Sequence, residues 1–204
     1  MAVTRPKILL HSCCGPCSTA CIERLLPQYD VTVFYANSNI TDEAEYRLRL
    51  ETQKQVVDAV NRKIADGVYG AQSTGNAEKA PPIAPVQLME GPYDPDRFLA
   101  LVRGYEDAPE NGDRCPICFR MRLAEAADTA KRLRFDYFTT TLPVSPHKNF
   151  SLIAQIGEEE GTRAGIPFEA FDFKKKDGFK RSIELSKEYD LYRQNFCGCE
   201  FSRR

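Results

Sequence analysis

Short apolar runs alternate with helical patterns along the first part of the chain. Residues 7–11 are almost continuously apolar, as is typical of a strand buried on both faces of a parallel sheet. A helical pattern covers residues 16–26 and ends at Pro27, and the β-branched and aromatic residues 31–36 predict a second strand. The opening of the chain therefore predicts a strand, a helix and a second strand.

The alternation continues to the end of the chain. Further helices are predicted from Thr41 or Asp42 onward and over residues 94–102, 115–133, 149–165 and 181–188, and further strands over residues 86–89, 137–142 and 167–171. In the long second helix, Leu48, Val56, Val57 and Val60 form the predicted apolar stripe. The whole pattern predicts a single compact α/β domain over residues 1–204, with three layers and a mostly parallel sheet.

Two segments depart from this alternation. Residues 67–95 are rich in Gly, Pro, Ser and Asn and predict a long surface insertion, in which only residues 86–89 have the pattern of a strand. After the last predicted helix, the chain ends in a cysteine-bearing C-terminal tail. Ligands of parallel α/β sheets bind beyond the carboxyl ends of the strands. Cys13 and Cys14 directly follow the first strand and are predicted to lie at that edge.

The composition is that of an ordinary globular protein, with 42% hydrophobic and 28% charged residues in a chain of 204. No apolar run approaches the roughly 20 residues of a membrane span, and the apolar stretch near the start is too short for a signal peptide. We therefore expect a cytoplasmic protein with no membrane partner. The formal net charge of -1 means that an RNA partner would be held by local basic patches.

Eight cysteines point to a specific chemistry. A reducing compartment disfavours structural disulfides, so clustered thiols are more often metal ligands or redox groups. Seven of the eight form three tight groups, which are Cys13, Cys14 and Cys17; Cys115 and Cys118; and Cys197 and Cys199. This grouping predicts a metal or redox site. We interpret Cys21, one helical turn after Cys17, as a buried core residue and His11 as a structural group.

The spacing within each group indicates what it can bind. Adjacent cysteines such as Cys13 and Cys14 diverge, which suits two irons of one cluster, and the helix N-terminus beside them favours thiolates. The spacing of Cys115 and Cys118 is typical of zinc and iron–sulfur sites. Residues 197–199, with Gly between two cysteines, fit a redox dithiol or a pair of ligands on a second metal. Zinc would use only four of these thiols.

Polar residues around the end of a later strand predict a substrate-anion pocket. Thr139, Thr140 and Thr141 end that strand, and Ser145 and Lys148 precede the next helix, whose N-terminus suits an anion. The candidate phosphate contacts are the basic residues Lys174, Lys175, Lys176, Lys180, Arg181, Arg203 and Arg204.

Several motifs together resemble one known family. They are residues 11–18 (HSCCGPCS), 93–95 (YDP), 114–123 (RCPICFRMRL), 135–142 (FDYFTTTL), 145–149 (SPHKN) and 191–199 (LYRQNFCGC). In order and spacing they resemble the QueH type of epoxyqueuosine reductase, over about residues 7–202. Each motif alone is weakly specific, but the set is highly specific.

The resemblance implies a HUP-like, Rossmann-like fold and the last step of queuosine biosynthesis. In that step an oxidoreductase acts on tRNA that carries epoxyqueuosine at the wobble position of the anticodon loop. A two-electron reduction removes the epoxide oxygen and leaves an alkene and water. The resemblance further implies an external electron donor and no cobalamin.

The resemblance also implies roles for the cysteines. The residues that it assigns to a 4Fe-4S cluster are Cys13, Cys14, Cys115 and Cys118. Cys197 and Cys199 would be catalytic, either as a redox-active dithiol or as ligands of a second, mononuclear iron. Cys17 is the candidate third ligand of that second iron.

Two other functions remain compatible with the residues. A zinc-stabilised tRNA or RNA-binding module would be colourless, would contain zinc and would bind RNA without turnover. A thiol oxidoreductase or sulfur-transfer enzyme on a HUP-like scaffold would shuttle a disulfide between Cys197 and Cys199. Metal and sulfide analysis distinguishes these alternatives from an iron–sulfur reductase.

Overall fold

Four parallel strands form the sheet at the centre of the computed structural model, which describes residues 4–69 and 81–203. The strands are β1 (Lys7–His11), β2 (Asp30–Tyr35), β3 (Gln87–Glu90) and β4 (Tyr137–Thr140). Their order in the sheet is β3-β2-β1-β4, and each neighbouring pair is parallel. The predicted parallel sheet is therefore confirmed.

Helices cover both faces of the sheet. Within the described residues they are α1 (Gly15–Leu25), α2 (Glu43–Ala65), α3 (Pro95–Leu101), α4 (Arg114–Arg132), α5 (Phe150–Ala164) and α6 (Gly178–Glu188). Ile8 and Leu10 pack on the side of α1 and α2, whereas Leu9 packs with Ala126 and Ala130 of α4. Successive residues of β1 thus face opposite layers, and the predicted three-layer α/β domain is confirmed. None of the described helices has the length and apolar character that crossing a membrane requires.

Polar side chains begin three of the helices as the sequence predicts. Asp42, Asp94 and Asn149 each accept a hydrogen bond from a backbone N–H in the first turn of α2, α3 and α5, respectively. At the end of α5, Gly165 has a φ of 72°, a left-handed conformation that glycine adopts without strain. Local side-chain chemistry therefore sets these helix boundaries.

The strand predicted over residues 167–171 was wrong. Within the described residues, this segment makes only one isolated bridge, between Phe138 and Phe168. Immediately beyond it, the hydroxyl of Thr139 donates a hydrogen bond of 2.7 Å to the carbonyl oxygen of Glu169. The backbone N–H groups of Phe171 and Phe173 donate to the carbonyl oxygens of Glu169 and Phe171, respectively. Because side-chain and local bonds take up these groups, no ladder forms.

The apolar stripe of α2 was also partly wrong. Val56, Val57 and Val60 are buried, but Leu48 is 44% exposed. Nine positions separate Leu48 from Val57, which is about two and a half turns at 3.6 residues per turn, so the two side chains point in opposite directions. The buried face of α2 passes through Arg49 instead.

The predicted surface insertion at residues 67–95 is described only in part, because residues 70–80 lie outside the described residues. In the remainder, β3 begins one residue later than the predicted strand and pairs with β2. This part of the insertion therefore supplies an edge strand of the sheet.

The strand order reverses at β1. The chain passes from β1 through α1 to β2 on one side, whereas β4 pairs with the other side of β1. Ligands of open α/β sheets bind where the order reverses, beyond the carboxyl ends of the strands. His11 ends β1 and Thr140 ends β4, so the residues that follow them lie at this edge.

Candidate metal centre

Three cysteines gather just beyond β1, at the start of α1. Cys14 is the N-cap residue of α1 but makes no side-chain capping bond. The Sγ atoms of Cys13, Cys14 and Cys17 all lie within 4.8 Å of one another, and those of Cys13 and Cys14 are 3.8 Å apart. All eight cysteines are described, and all have free thiols. Such a donor set is suited to a thiophilic metal.

Close packing against α2 holds this loop in place. A Cβ atom on Gly15 would lie 2.8 Å from Cγ2 and 2.9 Å from the carbonyl oxygen of Thr52, so only glycine allows this approach. Gln53 of α2 accepts a hydrogen bond from the Ser12 hydroxyl at 2.7 Å and donates one to the Ser18 hydroxyl at 2.9 Å. Both ends of the cysteine loop are thus fixed to the same buried amide.

The three sulfurs differ in how readily they lose a proton. Hydrogen bonds from the Cys14 and Cys17 thiols hold the pKa of Cys13 well below its usual value, although burial opposes this shift. The same contact raises the pKa of Cys14 to about 12 and that of Cys17 well above its usual value. Cys13 is therefore the most acidic of the three thiols, and a metal bound by all three sulfurs must displace the protons that they carry.

A buried guanidinium lies beside these sulfurs. Arg122 of α4 is 2% exposed, and its Nη2 donates a hydrogen bond of 2.7 Å to Oδ1 of Asn37. Its Nε lies 3.3 Å from Nε2 of His11. Nε2 of His11 also lies 3.3 Å from the Ala36 carbonyl oxygen, and its Nδ1 lies 2.8 Å from the Thr140 hydroxyl. Burial and then Arg122 lower the pKa of His11 to about 3, so this histidine is a neutral structural group, as predicted.

The second cysteine pair lies on the first turn of α4. Cys115 belongs to the same apolar cluster as Cys13, and Cys118 belongs to a cluster with Cys199. The backbone N–H of Asn111 donates to Cys115 Sγ at 3.2 Å. Burial raises the pKa of Cys115 and raises that of Cys118 to about 12. The start of α4 therefore faces both the first cysteine group and the C-terminal one.

A buried arginine of α2 anchors the C-terminal cysteines. Arg49 is 2% exposed, and its Nε donates to Glu45 Oε1 at 2.6 Å. Its two terminal nitrogens donate to the carbonyl oxygens of Cys197 at 3.1 Å and Phe196 at 3.2 Å. Gly198 has a φ of 122°, and a Cβ there would lie 3.1 Å from Arg49 Nη1. The turn between the last two cysteines therefore requires glycine.

Cys13, Cys17 and Cys197 line one cavity of about 260 Å³. Lys148 also lines this cavity, is 7% exposed, and donates from Nζ to Cys197 Sγ at 3.3 Å. Arg122 contributes a second buried cation to the wall. The fold thus combines thiols from both ends of the chain with buried positive charges.

Comparison with known proteins identifies the family. The family model described as Epoxyqueuosine reductase QueH matches residues 8–204. The chain belongs to the epoxyqueuosine reductase QueH family. The resemblance inferred from the motifs is therefore confirmed, and the chain is an oxidoreductase.

Curated relatives named Epoxyqueuosine reductase QueH match nearly the whole chain. The relative from Streptococcus pyogenes is 41% identical over 200 residues, which cover 98% of this chain and 71% of the relative. That from Staphylococcus aureus is 40% identical over 200 residues, covering 97% and 76%. That from Thermotoga maritima is 30% identical over 195 residues, covering 96% and 89%. Membership of the QueH family favours a reductase over the zinc-stabilised module and the sulfur-transfer enzyme.

The predicted anion pocket of this QueH-family chain divides into two parts. Ser145 and Lys148 line the cavity beside the cysteines. Thr139, Thr140 and Thr141 are buried instead. The Thr141 hydroxyl accepts a hydrogen bond from the backbone N–H of Cys13 at 3.3 Å, while the other two hydroxyls bond to the neighbouring strand and segment. These threonines therefore do not line the cavity but form hydrogen bonds with the segments around it.

The remaining predicted residues lie in different surroundings, apart from Arg204, which lies outside the described residues. Cys21 is fully buried in the main apolar core, as predicted. Arg181 is paired with Glu23 at 2.8 Å, whereas Lys175 and Lys176 are exposed. Only part of this basic segment is therefore available to contact RNA.

Four residues of the site were not identified from the sequence. They are Asn37, Arg49, Arg122 and Gln194, which donates from Nε2 to Cys14 Sγ at 2.8 Å. Arg122 follows Cys118 by four positions on a predicted helix, a spacing that places both on one face and could have indicated it. The other three have no local pattern of this kind.

Proposed function

We propose that this protein reduces epoxyqueuosine to queuosine in the anticodon loop of tRNA with a 4Fe-4S cluster held by its cysteines. The observation that carries the proposal is the gathering of Cys13, Cys14 and Cys17 where the strand order reverses, in a cavity shared with Cys197. Membership of the QueH family supports the reaction, because relatives across nearly the whole chain are named epoxyqueuosine reductases.

The residues present fit an iron–sulfur group. Every donor in the first group is a thiol, and two buried cations, Arg122 and Lys148, line the same cavity and can balance an anionic cluster. Thiolates are the ligands that iron–sulfur clusters require. The cysteines proposed to hold the cluster are Cys13, Cys14, Cys115 and Cys118.

The C-terminal cysteines are proposed to act on the substrate. Cys197 and Cys199 serve either as a redox-active dithiol or as ligands of a second, mononuclear iron. Cys17 is proposed as its third ligand, because it lines the cavity with Cys197. When bound, the cluster supplies electrons singly and the second iron supplies a Lewis acid. An external donor provides two electrons, and two protons convert the epoxide oxygen to water.

An open groove and an exposed aromatic side chain adjoin the sulfur-lined cavity and could receive a modified base. A larger open groove of about 580 Å³ shares Glu110, His147, Asn195 and Phe196 with the sulfur-lined cavity, so the two are continuous. Phe179 also lines the cavity and is 37% exposed. Aromatic side chains at such a mouth stack on unpaired bases of single-stranded RNA loops. The groove is proposed to receive the anticodon loop. The protein is proposed to act in the cytoplasm.

Metal analysis tests the cofactor. Protein purified anaerobically is expected to be coloured and to contain iron and acid-labile sulfide in the amounts of one 4Fe-4S cluster, with or without one additional iron. A colourless protein that contains zinc would contradict the proposal and would favour the zinc-stabilised module.

Turnover tests the reaction. Reduced protein is mixed with tRNA that carries epoxyqueuosine, and the modified nucleoside is analysed by mass spectrometry. The expected result is the loss of one oxygen atom from the base. The proposal would be contradicted if the base kept its oxygen atom while Cys197 and Cys199 formed or lost a disulfide. It would also be contradicted if the base kept its oxygen atom while sulfur was transferred to the tRNA.

A further inference from the structure

The charge of Arg122 has no carboxylate partner among the described residues. Its hydrogen-bond acceptors are Asn37 Oδ1 at 2.7 Å and His11 Nε2 at 3.3 Å, and neither of these is a carboxylate. Arg49, which is equally buried, pairs with Glu45 at 2.6 Å. Burying an ion is unfavourable unless an opposite charge compensates it. An anion is therefore needed beside Arg122.

Sulfur atoms of the cysteine groups lie around Arg122. Cys118 precedes Arg122 by four positions on α4, so the helix places the two side chains on one face. Arg122 also lines the cavity with Cys13 and Cys197. One permanent positive charge thus faces members of all three cysteine groups.

The position of this charge is fixed. Asn37 is fully buried, and its Nδ2 donates to the carbonyl oxygen of Ser12 at 2.9 Å, beside the cysteine loop. His11 is fully buried at the end of β1. Arg122 is therefore held by residues from β1 and from the segment after β2, which leaves its charge little freedom to move away from the sulfurs.

We propose that Arg122 is a positioning residue that supplies the counter-charge of the iron–sulfur cluster and raises its reduction potential. This inference rests on the proposed function, because it requires the cluster to be present. Each electron added to the cluster increases its negative charge. A fixed cation in a poorly solvated site stabilises the reduced form more than the oxidised form, since the attraction grows with the charge.

One substitution removes the positive charge and a second neutralises it. Arg122→Gln deletes it and retains a hydrogen-bonding side chain. Asn37→Asp leaves Arg122 intact but places a carboxylate at the atom that now accepts its 2.7 Å hydrogen bond. Both variants are expected to shift the midpoint potential of the cluster to more negative values. Arg122→Lys retains the charge and is expected to have a potential close to that of the wild type.

Arg120→Gln is the matched control. Arg120 is on the same helix, but its side chain is 50% exposed and pairs with Glu159 and Glu160. Water screens such a charge, so its removal is expected to leave the potential unchanged. The readouts are iron and sulfide content and an anaerobic redox titration followed by absorbance or electron paramagnetic resonance, with no need for turnover.

The results separate this inference from the proposed function. If the wild type holds a cluster and both Arg122→Gln and Asn37→Asp have the wild-type potential, the role of Arg122 is refuted while the proposed function stands. A wild type without iron and sulfide would overturn the proposed function and this inference with it. If Arg122→Gln does not fold, the other two variants test the role of Arg122. Asn37→Asp should lower the midpoint potential of the cluster, whereas Arg122→Lys should not.

Discussion

At the residue scale, the site places buried cations against sulfur. Lys148 Nζ lies 3.3 Å from Cys197 Sγ and 3.9 Å from the carboxylate of Glu110. Burial lowers the pKa of Lys148, but Cys197 and Cys13 raise it by more, so the side chain remains an ammonium at neutral pH. Its hydrogen bond orients the Cys197 sulfur toward the cavity.

Cys197→Ser and Cys199→Ser are expected to abolish turnover while iron and sulfide content stay close to those of a single 4Fe-4S cluster. The reason is that the proposed ligands of that cluster are four other cysteines. Turnover by mass analysis of the tRNA nucleoside and metal analysis of the same samples provide the measurement. Loss of the cluster in either variant would show that the sulfurs are divided differently.

Cys21→Ser is the control for these variants. Cys21 is in the core, where its thiol donates to the carbonyl oxygen of Cys17 at 3.3 Å, and a serine hydroxyl can make the same bond. The free energy of unfolding is expected to fall by about 1 kcal/mol from burying the more polar group. Turnover of the folded protein should be unchanged.

At the element scale, α2 connects two of the cysteine groups. Near its middle, Thr52 and Gln53 contact the loop of the first group, and Arg49, one turn earlier, holds the carbonyls of the C-terminal group. A single rigid helix therefore sets the distance between Cys13 and Cys197. Glu45 also accepts hydrogen bonds from the Tyr192 hydroxyl at 3.1 and 3.2 Å, so the Arg49–Glu45 pair binds the tail at two places.

Arg49→Lys is expected to loosen the C-terminal tail. The ammonium can still pair with Glu45, but it lacks the fork that binds two carbonyl oxygens at once. Loss of these hydrogen bonds should lower the free energy of unfolding by about 1–3 kcal/mol. Amide hydrogen exchange over residues 195–200 should become faster, and turnover should fall at least about tenfold, because misplaced groups lose reactivity steeply.

Arg47→Lys is the matched control for this variant. Arg47 is on the same helix and pairs with Glu43, but both side chains are exposed. Exchange in the tail and turnover should match the wild type. If Arg49→Lys also matched the wild type in both measurements, α2 would not position the C-terminal cysteines.

At the scale of the whole molecule, the proposed binding of tRNA has to rely on a local basic patch, because the net charge is only -1. Lys174 is turned inward and donates to the Lys148 carbonyl oxygen at 2.6 Å. Arg24 binds the carbonyl oxygens of Lys175 and Lys176, whose side chains are exposed. Near them, Phe179 lines the cavity. This face is therefore suited to the tRNA backbone.

Lys175→Ala combined with Lys176→Ala is expected to weaken tRNA binding. For each lysine that binds a phosphate, its removal should reduce the slope of log affinity against log salt by about 0.7 for single-stranded RNA. The measurement is a titration of labelled tRNA at several salt concentrations. Lys131→Ala combined with Arg132→Ala removes two exposed charges at the end of α4 and serves as the control. Equal slopes for both double variants would place the tRNA elsewhere.

Much of the fold was predictable because secondary structure follows local patterns. The periods of strands and helices and the caps at Asp42 and Asn149 are properties of neighbouring residues. The errors arose where distant residues compete. At residues 167–171, the hydroxyl of Thr139 takes a carbonyl that a ladder would use. On α2, packing selects Arg49 rather than Leu48 for the buried face.

The sequence by itself determined the order of strands and helices, the family, and the three cysteine groups, since all of these depend on spacing along the chain. Only the tertiary structure decided which groups meet. The reversal of strand order at β1 and the packing of α2 and α4 bring Cys13 to the same cavity as Cys197. The tertiary structure also decided that Arg122 is buried beside sulfur and that no carboxylate of the described residues pairs with it. The reason is that burial depends on every element that surrounds a side chain.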